Sequence, residues 1–86
     1  MVEALVSFPC PWPIKVVGEA SPELDAAVVA VMARHAPGFD PERIRVRESR
    51  TGRYRALSLT ITATGEAQLR AIVRELEACP QVRLVL

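Results

Sequence analysis

Cysteine, histidine and aromatic side chains are scarce in this chain of 86 residues, and each scarcity removes a class of chemistry. Cys10 and Cys79 lie far apart with no framework spacing, whereas a disulfide-held secreted domain of this size carries more thiols. The expectation is two free thiols in a reduced, cytoplasmic protein. A copper carrier needs both thiolates from one Cys-x-x-Cys turn, because a single soft ion must be gripped twice, and Cys10-Pro11-Trp12-Pro13 offers one. His35 is the lone histidine, and its place in the last turn of a predicted helix suits the helix dipole better than metal ligation or base catalysis. No catalytic, metal or cofactor constellation is therefore expected. Formal charge is only +1, so no global field draws the chain to nucleic acid or to a membrane. The longest apolar run, Ala26 to Ala33, is far short of the roughly 20 residues a bilayer demands, and no basic-then-apolar leader opens the chain.

What the chain does have is apolar content, half of all residues, in patterns that change period along its length. The length suits a single domain over residues 1–86, with residues 1–12 as an extended lead. Pro9, Pro11 and Pro13 alternate with Phe8, Cys10 and Trp12, which predicts polyproline-like or strand-like backbone poor in ladder hydrogen bonds. From Trp12 or Pro13 to Ala20 the pattern is a strand, with Ile14, Val16 and Gly18 on one face and Lys15, Val17 and Glu19 on the other. Ser21-Pro22-Glu23 is a helix start: a serine cap, a proline where no N–H is needed, and an acid at the positive end of the dipole. Leu24, Ala27, Val28, Val31 and Met32 carry that helix to His35 or Ala36, where Pro37-Gly38 ends it.

A second strand is predicted over Arg43 to Ser49, then a turn at Arg50-Thr51-Gly52-Arg53 and a long strand from Tyr54 to Thr64. Thr64-Gly65-Glu66 opens a second helix with Leu69, Ile72, Val73 and Leu76 inward and Arg70, Arg74, Glu75 and Glu77 in solvent. After Cys79-Pro80 a last strand runs from Val82 to Leu86. The order βαββαβ with right-handed crossovers has one compact solution, an antiparallel sheet ordered 4-1-3-2 with both helices on one face. This is the ferredoxin-like α+β sandwich. The other face is left bare, and the alternation assigns it Lys15, Val17, Arg45, Arg47, Ser58, Thr60, Thr62, Arg83 and Val85, although a one-residue slip in the second strand would reverse that strand's share.

Four stretches together carry a family resemblance: Phe8-Pro9-Cys10-Pro11-Trp12-Pro13-Ile14-Lys15-Val16-Val17-Gly18, His35-Ala36-Pro37 with Phe39-Asp40-Pro41, Ser49-Arg50-Thr51-Gly52-Arg53-Tyr54, and Pro80-Gln81-Val82-Arg83-Leu84-Val85-Leu86. In that order they resemble the small bacterial YbeD-like proteins, from Phe8 onward. The resemblance implies a fold similar to the ACT regulatory domains, with no established activity, no agreed functional residues and a suggested link to lipoate metabolism.

The remaining content is charge. Arg43, Arg45, Arg47, Arg50, Arg53 and Arg55 are six arginines against one acid, Glu48, in thirteen residues. A basic hairpin of this kind grips phosphate, a carboxylate or an acidic protein surface, or else merely keeps an edge strand from pairing. The candidate binding surface is thus Lys15, Arg45, Arg47, Arg50, Arg53, Arg55, Thr60 and Arg83, on a non-enzymatic module that meets a protein partner or a second copy of itself. A phosphatase loop is absent, since Gly18-Glu19-Ala20-Ser21-Pro22 puts an acid and a proline where backbone N–H groups would surround phosphate. Sensing of an amino acid or related acid, in the manner of ACT domains, is an alternative; it is disfavoured by Pro22-Glu23-Leu24, where such domains place a glycine. RNA binding is a further alternative, disfavoured because Ser58, Thr60 and Thr62 offer no ring on which a base can stack.

Overall fold

A computed structural model of the chain describes residues 7–86; the first six residues of the expected lead lie outside the described residues. The elements are β1 (Cys10–Glu19), α1 (Pro22–His35), a single 3₁₀ turn (Pro41–Arg43), β2 (Arg45–Glu48), β3 (Tyr54–Ala63), α2 (Glu66–Glu77) and β4 (Val82–Val85). All pairings are antiparallel in the order β2-β3-β1-β4, which is the predicted 4-1-3-2 sheet. Ile14, Val16, Leu57, Leu59 and Ile61 of the sheet join Leu24, Val28, Val31 and Met32 of α1 and Ile72 and Leu76 of α2 in one buried cluster, so both helices cover the same face.

Local chemistry sets the helix starts. Ser21 caps α1 through Oγ, which accepts the Leu24 N–H at 3.2 Å, with Pro22 in the first turn. Gly65 caps α2 and brings no side chain, so Gln68 does the work from three residues on: its Oε1 accepts the Thr64 N–H at 2.8 Å, while its Nε2 donates to the His35 carbonyl at 2.7 Å. The start of α2 is thereby tied to the end of α1.

β1 begins at Cys10, two residues ahead of the predicted start at Trp12, and takes Pro11 and Pro13 into the middle of a sheet. Proline lacks the N–H that a ladder requires, yet both sit where none is needed. Lys15 exchanges hydrogen bonds with Leu86 (3.0 and 2.8 Å), so the odd-numbered residues of β1 turn their backbone groups toward β4. That neighbour ends at Leu86, opposite Lys15, and Pro11 and Pro13 lie beyond its end.

Two further departures have physical causes. β2 is shorter than the predicted Arg43 to Ser49, because Asp40 Oδ1 accepts the Glu42 N–H at 3.0 Å and winds the preceding residues into the 3₁₀ turn. In β4 a bulge between its pairs with Val17 and Gly18 leaves Arg83 as the extra residue, so Val85 packs against the core and Leu84 takes the bare face, the reverse of the expected assignment of Val85. Glu75 also departs from its expected solvated place: it is half-buried between the helices.

Candidate functional site

The bare face is built by register. Arg45, Ser58 and Lys15 stand opposite one another across β2, β3 and β1, and Arg47 stands opposite Ala56 and Val17 in the next row. The expected phase of β2 is therefore the observed one. Adjacent strands lie about 4.8 Å apart, so Lys15 and Arg45 are separated by about 10 Å with a hydroxyl between them. Like charges at that spacing in water repel by about 0.4 kcal/mol, which an anion lodged between them converts to attraction. Among the described residues neither has an ion-pair partner.

Around this row the face sinks into a hollow of about 790 Å³. Lys15, Arg43 and Arg45 supply its charge, Ser58, Thr60 and Thr62 its hydroxyls, and Pro11, Pro13 and Leu86 a rim; no carboxylate side chain lines it. Arg43 enters from the 3₁₀ turn. It belonged to the arginine run in the sequence but not to the expected surface, because its place depends on the chain leaving the sheet at Ile44. Pro11 and Pro13 carried no sign of a binding role either.

The other expected residues are not brought to the hollow. Arg50 and Arg53 are exposed at the hairpin tip, beyond Tyr54 and about five residues, roughly 17 Å of strand, from Ser58. Arg83 reaches across the edge to ion-pair with Glu19. Arg55 is a correction: it stands opposite Gly18, so it points to the helix side. There Glu48 (2.7 Å) and Asp25 (2.7 Å) bracket its guanidinium, which is held still further from neutrality by hydrogen bonds first to Glu48 and then to Asp25. Period-two alternation contained that assignment, since Arg55 shares the parity of Leu57 and Leu59.

On the opposite side of the molecule, Glu75 of α2 accepts from Arg34 Nε at 3.0 Å and meets His35. The Arg34 hydrogen bond first, and the His35 contact second, hold its carboxyl below the usual range. His35 thus joins two helices. Cys10 and Cys79 are free and half-buried. Among the described residues no group of three or more His, Cys, Asp or Glu side chains could hold a metal ion, and no helix is long and apolar enough to cross a membrane.

Fold and face together define a ferredoxin-like sandwich whose second sheet surface is left uncovered by the described residues. Within that class the chain belongs to the family described as "Protein of unknown function (DUF493)", whose model matches residues 3–86, and this bears out the resemblance to the YbeD-like proteins. A UPF0250 protein of Azotobacter vinelandii is 45% identical over 82 residues, covering 94% of this chain and 89% of the relative. The solution structure of protein HP0495 from H. pylori superposes with a TM-score of 0.70 at 13% identity, covering 94% of this chain and 85% of that one. The ACT domain from the GTP pyrophosphokinase of Chlorobium tepidum gives 0.62 at 18% identity, covering 88% and 94%. Likenesses at such identities establish the shared fold.

Proposed function

We propose that this protein is a non-catalytic binding module whose bare sheet face docks on an acidic surface of a partner protein. One observation carries the reading: the basic hollow on that face has no acidic side chain in its lining, with Lys15 and Arg45 flanking Ser58 across three strands. Charges of one sign held on a rigid sheet cost little to preorganise and select a partner of the other sign. The test is Lys15→Glu combined with Arg45→Glu. Affinity capture from native cells should lose an acidic protein by at least about tenfold, equivalent to about 1.4 kcal/mol, while the melting temperature stays within about 3 °C because both side chains are exposed. Capture by the parent should weaken steeply with salt. Undiminished capture by the double variant removes the face from the account.

The size of the hollow supports a second reading, a sensor of a small acid such as an amino acid or a lipoyl-related acid. It predicts that one such acid raises the melting temperature of the parent and not of the double variant. A thermal-shift screen without a responding acid rejects it.

A further inference from the structure

We propose that the uncovered outer edge of β3, at Thr60 and Thr62, receives a short extended peptide of the partner as an added strand, with the pattern acidic–apolar–acidic. This inference rests on the reading of the sheet face as a docking surface and specifies what docks there and how.

β3 extends to Ala63, but β2 covers it only from Arg55 to Ser58. Ser49 donates to the Tyr54 carbonyl at 2.9 Å, which fixes the phase: Tyr54, Ala56 and Ser58 turn their backbone groups to β2, and two and four residues on, Thr60 and Thr62 turn theirs the same way into the vacated space. Among the described residues the N–H groups of both threonines and the Thr60 carbonyl have no backbone partner from an outer strand. The Thr62 carbonyl has a long contact, 3.5 Å, from Gln68 Nε2. The segment that would have continued β2 is occupied with itself, since the Arg43 N–H bonds the Asp40 carbonyl at 3.0 Å and the Ile44 N–H the Pro41 carbonyl at 3.3 Å.

Space is present on both sides of this edge. The basic hollow lies on the bare face, and a second hollow of about 370 Å³ lies toward the helices, between the edge and the Ala36–Asp40 loop; Arg43 and the residues from Leu59 to Thr62 line both. The corresponding overhang of β1 is closed by Pro11 and Pro13, which can donate to no incoming strand. β3 carries no proline along its exposed stretch.

The chemistry of the occupant follows from register and charge. A strand continuing the path of β2 would exchange hydrogen bonds with Thr60 and Thr62, and residues paired in this way share a face. The peptide residues opposite the two threonines would then point to the bare face beside Lys15, Arg43 and Arg45, where acids fit. The residue between them, opposite Ile61, would point to the helix-side hollow, where Phe39, Leu59 and Ile61 favour an apolar side chain. The one acid lining that hollow, Asp40, is engaged by the Glu42 N–H. A second copy of the chain is a poorer occupant, because edge-to-edge pairing would set Arg43 and Arg45 against their own counterparts.

The probe is a heptapeptide alternating glutamate with valine, compared with a scrambled peptide that groups its glutamates and with the same alternating sequence N-methylated at every second residue. Amide exchange and shift changes are followed by NMR on the parent and on Thr60→Pro, a change that removes the outward-facing N–H together with the Thr60 hydroxyl and breaks no pairing between β3 and β1 or β2. The alternating peptide should slow exchange of the Thr60 and Thr62 amides at least tenfold and bind at least tenfold more tightly than either control, and Thr60→Pro should weaken it by a similar factor. The N-methylated peptide gives the same information with the protein untouched, should Thr60→Pro fail to fold. Equal binding of all three peptides, or binding indifferent to Thr60→Pro but lost in Lys15→Glu with Arg45→Glu, overturns strand addition and leaves the face as the docking surface. Absence of binding by every peptide overturns it as well, and the capture experiment then judges the face separately. A dimer that dissolves on Thr60→Pro overturns the choice of occupant.

Discussion

At Gly18 the missing side chain is a packing requirement. A methyl group built there would fall inside the envelope of the Gln81 carbonyl oxygen and 2.8 Å from Leu24 Cδ1. The carbonyl is backbone, held by the Glu19 N–H at 2.9 Å, and cannot swing aside. Gly18→Ala should therefore destabilise the protein by about 2–3 kcal/mol, the scale of an overpacked core, read as a lower denaturant midpoint at constant slope. A midpoint equal to that of the parent would mean that β1 and β4 are not clamped at this point. At the same scale the alternation of β3 already contained the inward turn of Arg55, but its two carboxylate partners come from α1 and β2, distant in sequence, and only folding brings them together. The pairing of Arg34 and His35 with Glu75 was illegible for the same reason: the two helices meet there, some forty residues apart along the chain.

Elements with a local signal were readable. Serine, proline and acid marked the start of α1, and its buried stripe of Leu24, Val28, Val31 and Met32 follows the helical period. β1 was harder, because whether a proline fits a strand depends on where the neighbouring strand stops. Pro11 and Pro13 fit because β4 has already ended. The bulge that turned Val85 inward likewise arises between strands and leaves no mark in either. If the prolines blunt an edge, Pro11→Val with Pro13→Thr restores two donors on the free side of β1. That variant should form larger assemblies than the parent at equal concentration in sedimentation velocity, while keeping its fold. Identical sedimentation would reduce the prolines to tolerated passengers.

For the whole molecule, a formal charge of +1 conceals a separation of charge between layers. Lys15, Arg45 and Arg47 stand on the bare face without acids between them, while Asp25, Glu48 and Glu75 are engaged on the helix side. The fold was legible because every element agreed with one topology; the hollow was not, since its side toward Arg43, Thr60 and Thr62 exists because β2 falls short of β3. Acid stability follows from the same layout. Glu75 has its carboxyl lowered by Arg34 and then His35, so its contribution is present above the ordinary glutamate range and is lost as pH falls through the lowered value. Glu75→Gln should consequently lower the melting temperature at neutral pH by a few degrees and flatten its fall in acid, measured by calorimetry across pH 2 to 7. Parallel profiles for variant and parent would show that Glu75 titrates alike in folded and unfolded chains.

Gln68 has a consequence for motion. Because one side-chain amide of α2 holds both the Thr64 N–H just ahead of that helix and the closing carbonyl of α1, fraying at one end is expected to loosen the other. Amide exchange at the start of α2 and the end of α1 should therefore quicken together in Gln68→Ala, and unequal changes would show that the two ends open separately.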